Sequence, residues 1–196
     1  MDKHIATLLN FISTNDRFIL GLDGLSRSGK TTFSNKLCEM LKEKNIPHQL
    51  IHIDDHIVER EKRYHTSHEE WLEYYQLQWD IEWLIHHLFE KLKLSNELNL
   101  PFYDIESDTA MLKTIQLPKD GVIVIEGVFL QRKEWRRFFD KIVYLDCPRT
   151  ERFSRESEET QENLLKFINR YWKAEDFYLS TIQPKKNADL VVKVVK

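Results

Sequence analysis

The sequence predicts a three-layer α/β fold, with a mainly parallel sheet between two layers of helices. Two observations carry this. Short apolar runs such as VIVIEG and KIVYLD lack the in-and-out alternation of a strand with one wet face, so both faces are expected to be covered. Stretches with helical spacing separate these runs, which is the order of a crossover-connected parallel sheet.

The elements follow in order. Ile5, Leu8, Leu9 and Ile12 share one face of a helix over 4–13. RFILGLDG reads as a buried first strand. From Lys30 to Lys44 the apolar residues Phe33, Leu37, Met40 and Leu41 recur at helical spacing, and Asn45 and Pro47 stop the helix. HQLIHID is a second strand, and the polar stretch 56–67 a loop. Residues 68–95, rich in Trp and Tyr, read as helix in two pieces. LPFYD is extended or irregular, and Pro118 to Gly121 a turn. VIVIEG is the third strand, QRKEWRRFF a short helix, and KIVYLDCP the fourth strand. The charged stretch 149–180 is helical and ADLVVKVV is the last strand.

The 196 residues suit a single compact domain, and a net charge of −3 with interspersed signs argues against a dedicated nucleic-acid binder. No apolar run approaches the ~20 residues that span a bilayer, and the N-terminus lacks a signal-type cleavage site. Cys38 and Cys147 stand outside any metal-spaced pattern and read as reduced and buried, as in a cytoplasmic protein. Eight histidines suggest no metal site of their own, since His52 and His56 flank a strand end.

Chemistry is expected just beyond the carboxyl ends of the strands. After the first strand comes Gly24-Leu25-Ser26-Arg27-Ser28-Gly29-Lys30-Thr31-Thr32, a G-x-x-x-x-G-K-T loop leading into a helix. The glycines let successive N–H groups turn inward onto phosphate oxygens, and the helix adds its positive end. Lys30 is placed to meet the β- and γ-phosphates, and Thr31 to offer its hydroxyl to Mg²⁺. The second strand ends in Asp54-Asp55 and the third in Glu126-Gly127. These carboxylates supply the two remaining needs of phosphoryl transfer, hard oxygen near the metal and an acceptor for the hydroxyl proton. Asp54 is the candidate base with Asp55 in reserve. Thr31, Glu126 and Asp54 are the candidate magnesium ligands, and Asp54 and Glu126 also face the acceptor. No N-K-x-D motif on a late strand supports a GTPase; LPKD lacks the Asn. The segment Arg63-Tyr64-His65, with Trp71, Tyr74, Tyr75 and Trp79 after it, could stack on a base or sugar, or simply fill the core.

GLSRSGKTT, IDDHIV, LPFYD, VIEGVF and QPKKNADLVV, in this order, resemble the uridine kinase and phosphoribulokinase family of P-loop kinases from about Ile19 to Val194. The resemblance implies a P-loop NTPase fold with a five-stranded parallel core and a helical lid, ATP as donor and Mg²⁺ as cofactor. It implies an acceptor-site insertion over 56–117 and a lid over 149–180 within one domain of 1–196. It also implies Asp54 as base, Tyr103 in the acceptor pocket, and Pro184 to Ala188, including Lys186 and Ala188, along the adenine ring. Among the lid's Arg149, Arg152, Arg155 and Arg170, the clamp on the phosphates falls to Arg152 or Arg155. Where uridine kinases have H-P-D-A-F-D this chain has YQLQWD, and Ile105 and Asp108 replace an aromatic and a histidine. Phosphoryl transfer to a small molecule's hydroxyl therefore carries over, but uridine as acceptor does not. Four acceptor readings stay open, a nucleoside, a nicotinamide riboside-like compound, a sugar phosphate and a pantothenate-like alcohol. So does an ATP-binding regulator that transfers nothing, and so does self-association.

Overall fold

The computed structural model describes residues 2–12 and 16–194. Its centre is a five-stranded parallel sheet formed by β1 (Arg17–Asp23), β2 (His48–His52), β5 (Gly121–Gly127), β6 (Lys141–Asp146) and β7 (Leu190–Lys193), in the order β2-β5-β1-β6-β7. The fold is that of the P-loop NTPases, as the sequence predicts. β1 and β5 are buried at every position, and period 2 explains how. Phe18, Leu20, Leu22, Val122 and Val124 pack on one face with Phe33, Leu37 and Leu41 of α2 (Lys30–Glu43) and Ile5 and Leu8 of α1 (Asp2–Leu9). Ile19, Ile123 and Ile125 face the other way, into a core with Trp79, Phe129 and Trp135. At roughly 1.5–3 kcal/mol for each large apolar side chain buried, these two layers dominate the stability.

All five strands run the same way, so their carboxyl ends make one edge. Register pairs Asp23 with Gly127 and His52 with Glu126. Gly127 is required there, because a Cβ would lie 2.1 Å from the Ile53 side chain. Beyond β2 the chain rises through a 3₁₀ turn, Ile53–His56, into α3 (Arg60–Arg63), α4 (Glu70–Gln76) and α5 (Ile81–His87). A hairpin of β3 (Glu97–Asp104) and β4 (Thr109–Gln116) follows. After β6 come α6 (Arg149–Phe153), α7 (Glu158–Glu162), α8 (Leu164–Lys166), a π-helical stretch Phe167–Trp172, α9 (Lys173–Thr181) and α10 (Pro184–Asn187).

The structure corrects several expectations. The second strand stops at His52, which puts Asp54 on the 3₁₀ turn rather than on the strand. Residues 60–63 are helical rather than loop. QRKEWRRFF makes only one 3₁₀ turn, Arg136–Phe138. The second arm of the hairpin was not foreseen, because its residues are mostly exposed and its apolar ones, Ala110, Met111, Leu112 and Ile115, follow no strand alternation. Cys38 is half-buried rather than buried, while Cys147 is buried; both are free thiols. Burial and Glu39 push the Cys38 thiol up to about 11. The expected first helix reaches Ser13 and the expected last strand Val195, and both residues lie outside the described ones.

Candidate active site

The loop between β1 and α2 forms a nest at the sheet's carboxyl edge. Gly29 opens α2 with φ 93°, a left-handed conformation that favours glycine. At Gly24 a Cβ would stand 2.7 Å from the Ser28 hydroxyl, so the loop closes only around a glycine. Lys30 folds back over the loop and donates to the Leu25 carbonyl at 3.1 Å. Burial lowers its ammonium's pKa, with Asp54, Glu126 and Asp23 pulling the other way. Beneath the loop, Asp23 accepts from Gln131 at 2.9 Å and from the Tyr178 hydroxyl at 2.5 Å. Burial raises its pKa against those hydrogen bonds.

Two buried polar atoms at this edge, Ser28 Oγ and Glu126 Oε2, have no partner. The other carboxylate oxygen of Glu126 accepts from Thr31 Oγ1 at 3.3 Å and lies 2.7 Å from His52 Nδ1. The hydrogen bond to Glu126 raises the His52 pKa over the opposing effect of burial. A hydroxyl and a carboxylate with a spare oxygen beside a phosphate nest are the hard donors magnesium takes. No cluster of three His, Cys, Asp or Glu that could hold a metal alone occurs among the described residues.

A cleft of about 1000 Å³ runs from this nest to an aromatic wall, with Ser26 through Thr32 along its start. Asp54 opens into it. The carboxyl is reached by solvent through the cleft yet crowded by protein, and this desolvation raises its pKa; Lys30 opposes, while Glu126 and Asp55 add to the rise. The far wall contains Arg60, Arg63, Tyr64, Tyr74, Gln78, Lys166 and Tyr171.

Of the residues expected at the site, Ser26, Arg27, Ser28, Gly29, Lys30, Thr31, Thr32, Asp54, Tyr64, Glu126, Arg152 and Arg155 all line this cleft. Tyr103 does not. It stands behind the wall, accepting from Arg63 Nη2 at 3.2 Å and donating to Asp108 at 2.8 Å. Lys186 and Ala188 also lie away from the cleft wall; Val194 is the part of the last strand's end that reaches it. Arg152 lies at the nest but is fully engaged. It is buried, makes two bonds to Glu175 of 2.6 and 2.8 Å, and holds the Ser26 carbonyl at 3.0 Å. Arg155 reaches the Arg27 carbonyl at 2.8 Å. Tyr75 and Trp79 fill the core, whereas Tyr74 meets Tyr171 edge-on at 4.9 Å beside the cleft.

The sequence left His52, Gln78, Lys166 and Glu175 unassigned. Only the strand register sets His52 against Glu126, and Glu175 finds Arg152 across 23 positions.

Comparison with known proteins agrees with this geometry. Residues 19–196 match the model of the phosphoribulokinase / uridine kinase family. The chain belongs to that family. It is similar to the uridine kinase of Staphylococcus epidermidis, 27% identical over 188 residues that cover 91% of this chain and 88% of that one. Staphylococcus aureus uridine kinase is 29% identical over 191 residues, covering 89% and 86%. Among solved structures, a possible uridine kinase from Bacillus stearothermophilus shares 57% identity, with TM-score 0.86 over 97% of this chain and 95% of that one.

Proposed function

We propose that this protein transfers the γ-phosphoryl group of ATP to the hydroxyl of a small molecule. One observation carries the reading: a single cleft joins a phosphate nest, with partnerless polar atoms, to an enclosed acceptor wall, and Asp54 opens into it. The acceptor hydroxyl would give its proton to Asp54 while its oxygen attacks the γ-phosphorus. The bond from that phosphorus to the β–γ bridging oxygen breaks, and ADP leaves. The loop N–H groups and Lys30 hold the charge that gathers on the leaving phosphates. Arg155, beside the loop carbonyl of Arg27, is the arginine free to turn onto phosphate. Arg152, tied to Glu175, braces the loop. Thr31 and Glu126 would hold magnesium, which supplies charge neutralisation on the phosphates when bound, and Asp54, also a candidate ligand from the sequence, is kept free as the base. Segment 149–180 acts in this scheme as a lid, and Val194 takes the place expected of Lys186 and Ala188 at the nucleotide's outer edge.

Replacement of Asp54 tests the scheme. Asp54→Asn is expected to keep ATP affinity and lose about 10²–10⁴-fold in turnover, the usual contribution of a positioned base. Steady-state ATP consumption beside ATP titration calorimetry reads both quantities, and near-normal turnover removes Asp54 from the role.

A further inference from the structure

We propose that the acceptor is an anionic alcohol, and that Arg63 and Lys166 read its negative charge. This rests on the phosphotransfer reading above and narrows the class of the second substrate.

The two halves of the cleft differ in charge. Of the carboxylates on its wall, Glu126, Glu156 and Glu175 stand with the loop or its arginines, and Asp54 sits where the halves meet, its charge felt at both Lys30 and Tyr74. Beyond Asp54 the acceptor half presents Arg60, Arg63 and Lys166. Three cationic groups converge on the ring of Tyr64. Arg170 lies 4.0 Å from its centroid, Arg63 5.0 Å and the Lys166 ammonium 5.6 Å. Arg170 is neutralised by Glu73 at 2.8 Å. Arg63 is not. It is buried, and its hydrogen bonds go to the Val58 carbonyl at 2.7 Å and the Tyr103 hydroxyl at 3.2 Å, neither of which carries a charge. Asp108, bonded to that hydroxyl, acts on Arg63 through space but forms no ion pair with the guanidinium. The Lys166 ammonium meets the ring faces of Tyr64 and Tyr171 and forms no ion pair among the described residues.

A buried guanidinium with no carboxylate in direct contact is costly, and a ligand that brings one to it recovers part of that cost. A neutral nucleoside brings none. Nor is Tyr64 open on both faces for base stacking, because Arg170 covers it at 4.0 Å. The same half offers Gln78, whose buried Oε1 has no partner and lines the cleft. It is an acceptor waiting for a hydroxyl. Anion and hydroxyl together describe a phosphorylated or carboxylated polyol.

Three sugars on one carbon skeleton separate the sources of charge: D-ribose, D-ribose 5-phosphate and D-ribonate, with uridine and inorganic phosphate alongside. Each is titrated by calorimetry into the full chain holding magnesium and the non-hydrolysable analogue AMP-PNP. A charged sugar is expected to bind at least about tenfold more tightly than ribose and uridine, the size of a charge-assisted contact. Whether the phosphate or the carboxylate does so identifies the group. Lys166→Gln is expected to lower that affinity about tenfold and leave AMP-PNP binding unchanged. Arg63→Gln should do the same, and Lys166→Gln decides the matter should the buried Arg63 variant fold poorly. The proposal is overturned if uridine or ribose binds as tightly as both charged sugars, or if no anionic probe binds once AMP-PNP is seated. It is equally overturned if Lys166→Gln changes nothing, or if excess AMP-PNP displaces the charged sugar. Failure of the kinase reading looks different. AMP-PNP then does not bind at all, and both readings fall together, whereas AMP-PNP binding together with uridine phosphorylated when ATP replaces the analogue removes this one alone.

Discussion

The two halves of the cleft are held together in opposite ways. The nucleotide half is local. Gly24, Ser28, Gly29, Lys30 and Thr31 are within eight positions of one another, and key polar atoms, Ser28 Oγ and Glu126 Oε2, are left without partners. The acceptor half is stitched from distant segments. Arg170 bonds Glu73 97 positions away and the Arg63 carbonyl 107 positions away, at 2.8 and 2.9 Å. One half therefore keeps its polar groups free for a ligand, and the other spends most of them on its own assembly. Changes in the first should cost chemistry, and changes in the second should cost structure.

The largest expected effect breaks the acceptor half. Arg170→Met leaves Glu73 charged and buried, and removing one partner of such a pair typically costs about 3–5 kcal/mol. Urea denaturation is expected to show that loss. Lys30→Met, in contrast, should unfold within about 1 kcal/mol of the parent, since a partly desolvated ammonium is removed. A stability loss in Lys30→Met equal to that in Arg170→Met would erase the contrast.

The next effect is chemical. Lys30→Met is expected to lower kcat by about 10²–10³-fold, the usual consequence of deleting one preorganised charge at the reacting group. The measurement is steady-state ATP consumption at saturating nucleotide with any acceptor that supports turnover. An effect on KM alone would mean that Lys30 holds ATP without acting on the transition state.

How much of this could be read in the sequence follows the same division. GLSRSGKTT carries its geometry in contiguous residues, so the nest, its lysine and its threonine were legible, as were Asp54 and Glu126 at strand ends. The five strands were legible because both faces of a central parallel strand are apolar. β4 was not, since it lies almost wholly on the surface; the one local signal was its turn, where Asp104 accepts from Glu106 N and the Ser107 hydroxyl at 3.0 Å and Asp108 adopts φ 52°. Arg63 entered only as the neighbour of Tyr64 in a possible stacking segment, and Lys166 had no signal at all. Each is one basic residue in a charged stretch, and only the packing of α3 against the π-helical stretch aims them at Tyr64. Arg152 illustrates the limit from the other side. Its place beside the loop was foreseen, but its commitment to Glu175 depends on a contact that no local pattern records.

Acidity offers a sharper, smaller test of the acceptor half. Burial would raise the Glu73 carboxyl, but hydrogen bonds from the Thr66 N–H and hydroxyl, and the Arg170 guanidinium, outweigh it and hold the pKa below its ordinary 4.5. A carboxyl lowered by folding contributes stability above its unfolded pKa and loses it as pH falls through the folded value. The gap in Tm between the parent and Glu73→Gln should therefore be full at neutral pH and close below pH 4.5 as Glu73 protonates. A gap that stays constant through that range would show that Glu73 contributes by shape alone.

The smallest effect belongs to the rim of the nucleotide half. Arg27 donates to Glu156 at 3.0 Å, and the arginine side chain is 54% exposed. Exposed pairs of this kind contribute about 0.2–1 kcal/mol. Glu156→Gln is expected to leave Tm within about 1 °C and to change the KM for ATP by less than about fivefold, in the direction of tighter binding. The sign matters more than the size. Glu156 places a negative charge beside the nest and engages a guanidinium that could otherwise turn toward phosphate, so its removal should help ATP and leave acceptor affinity untouched. A variant that weakens ATP binding instead would mean that the pair orders the loop, adding to the brace that Arg152 and Arg155 already supply from the same distant segment.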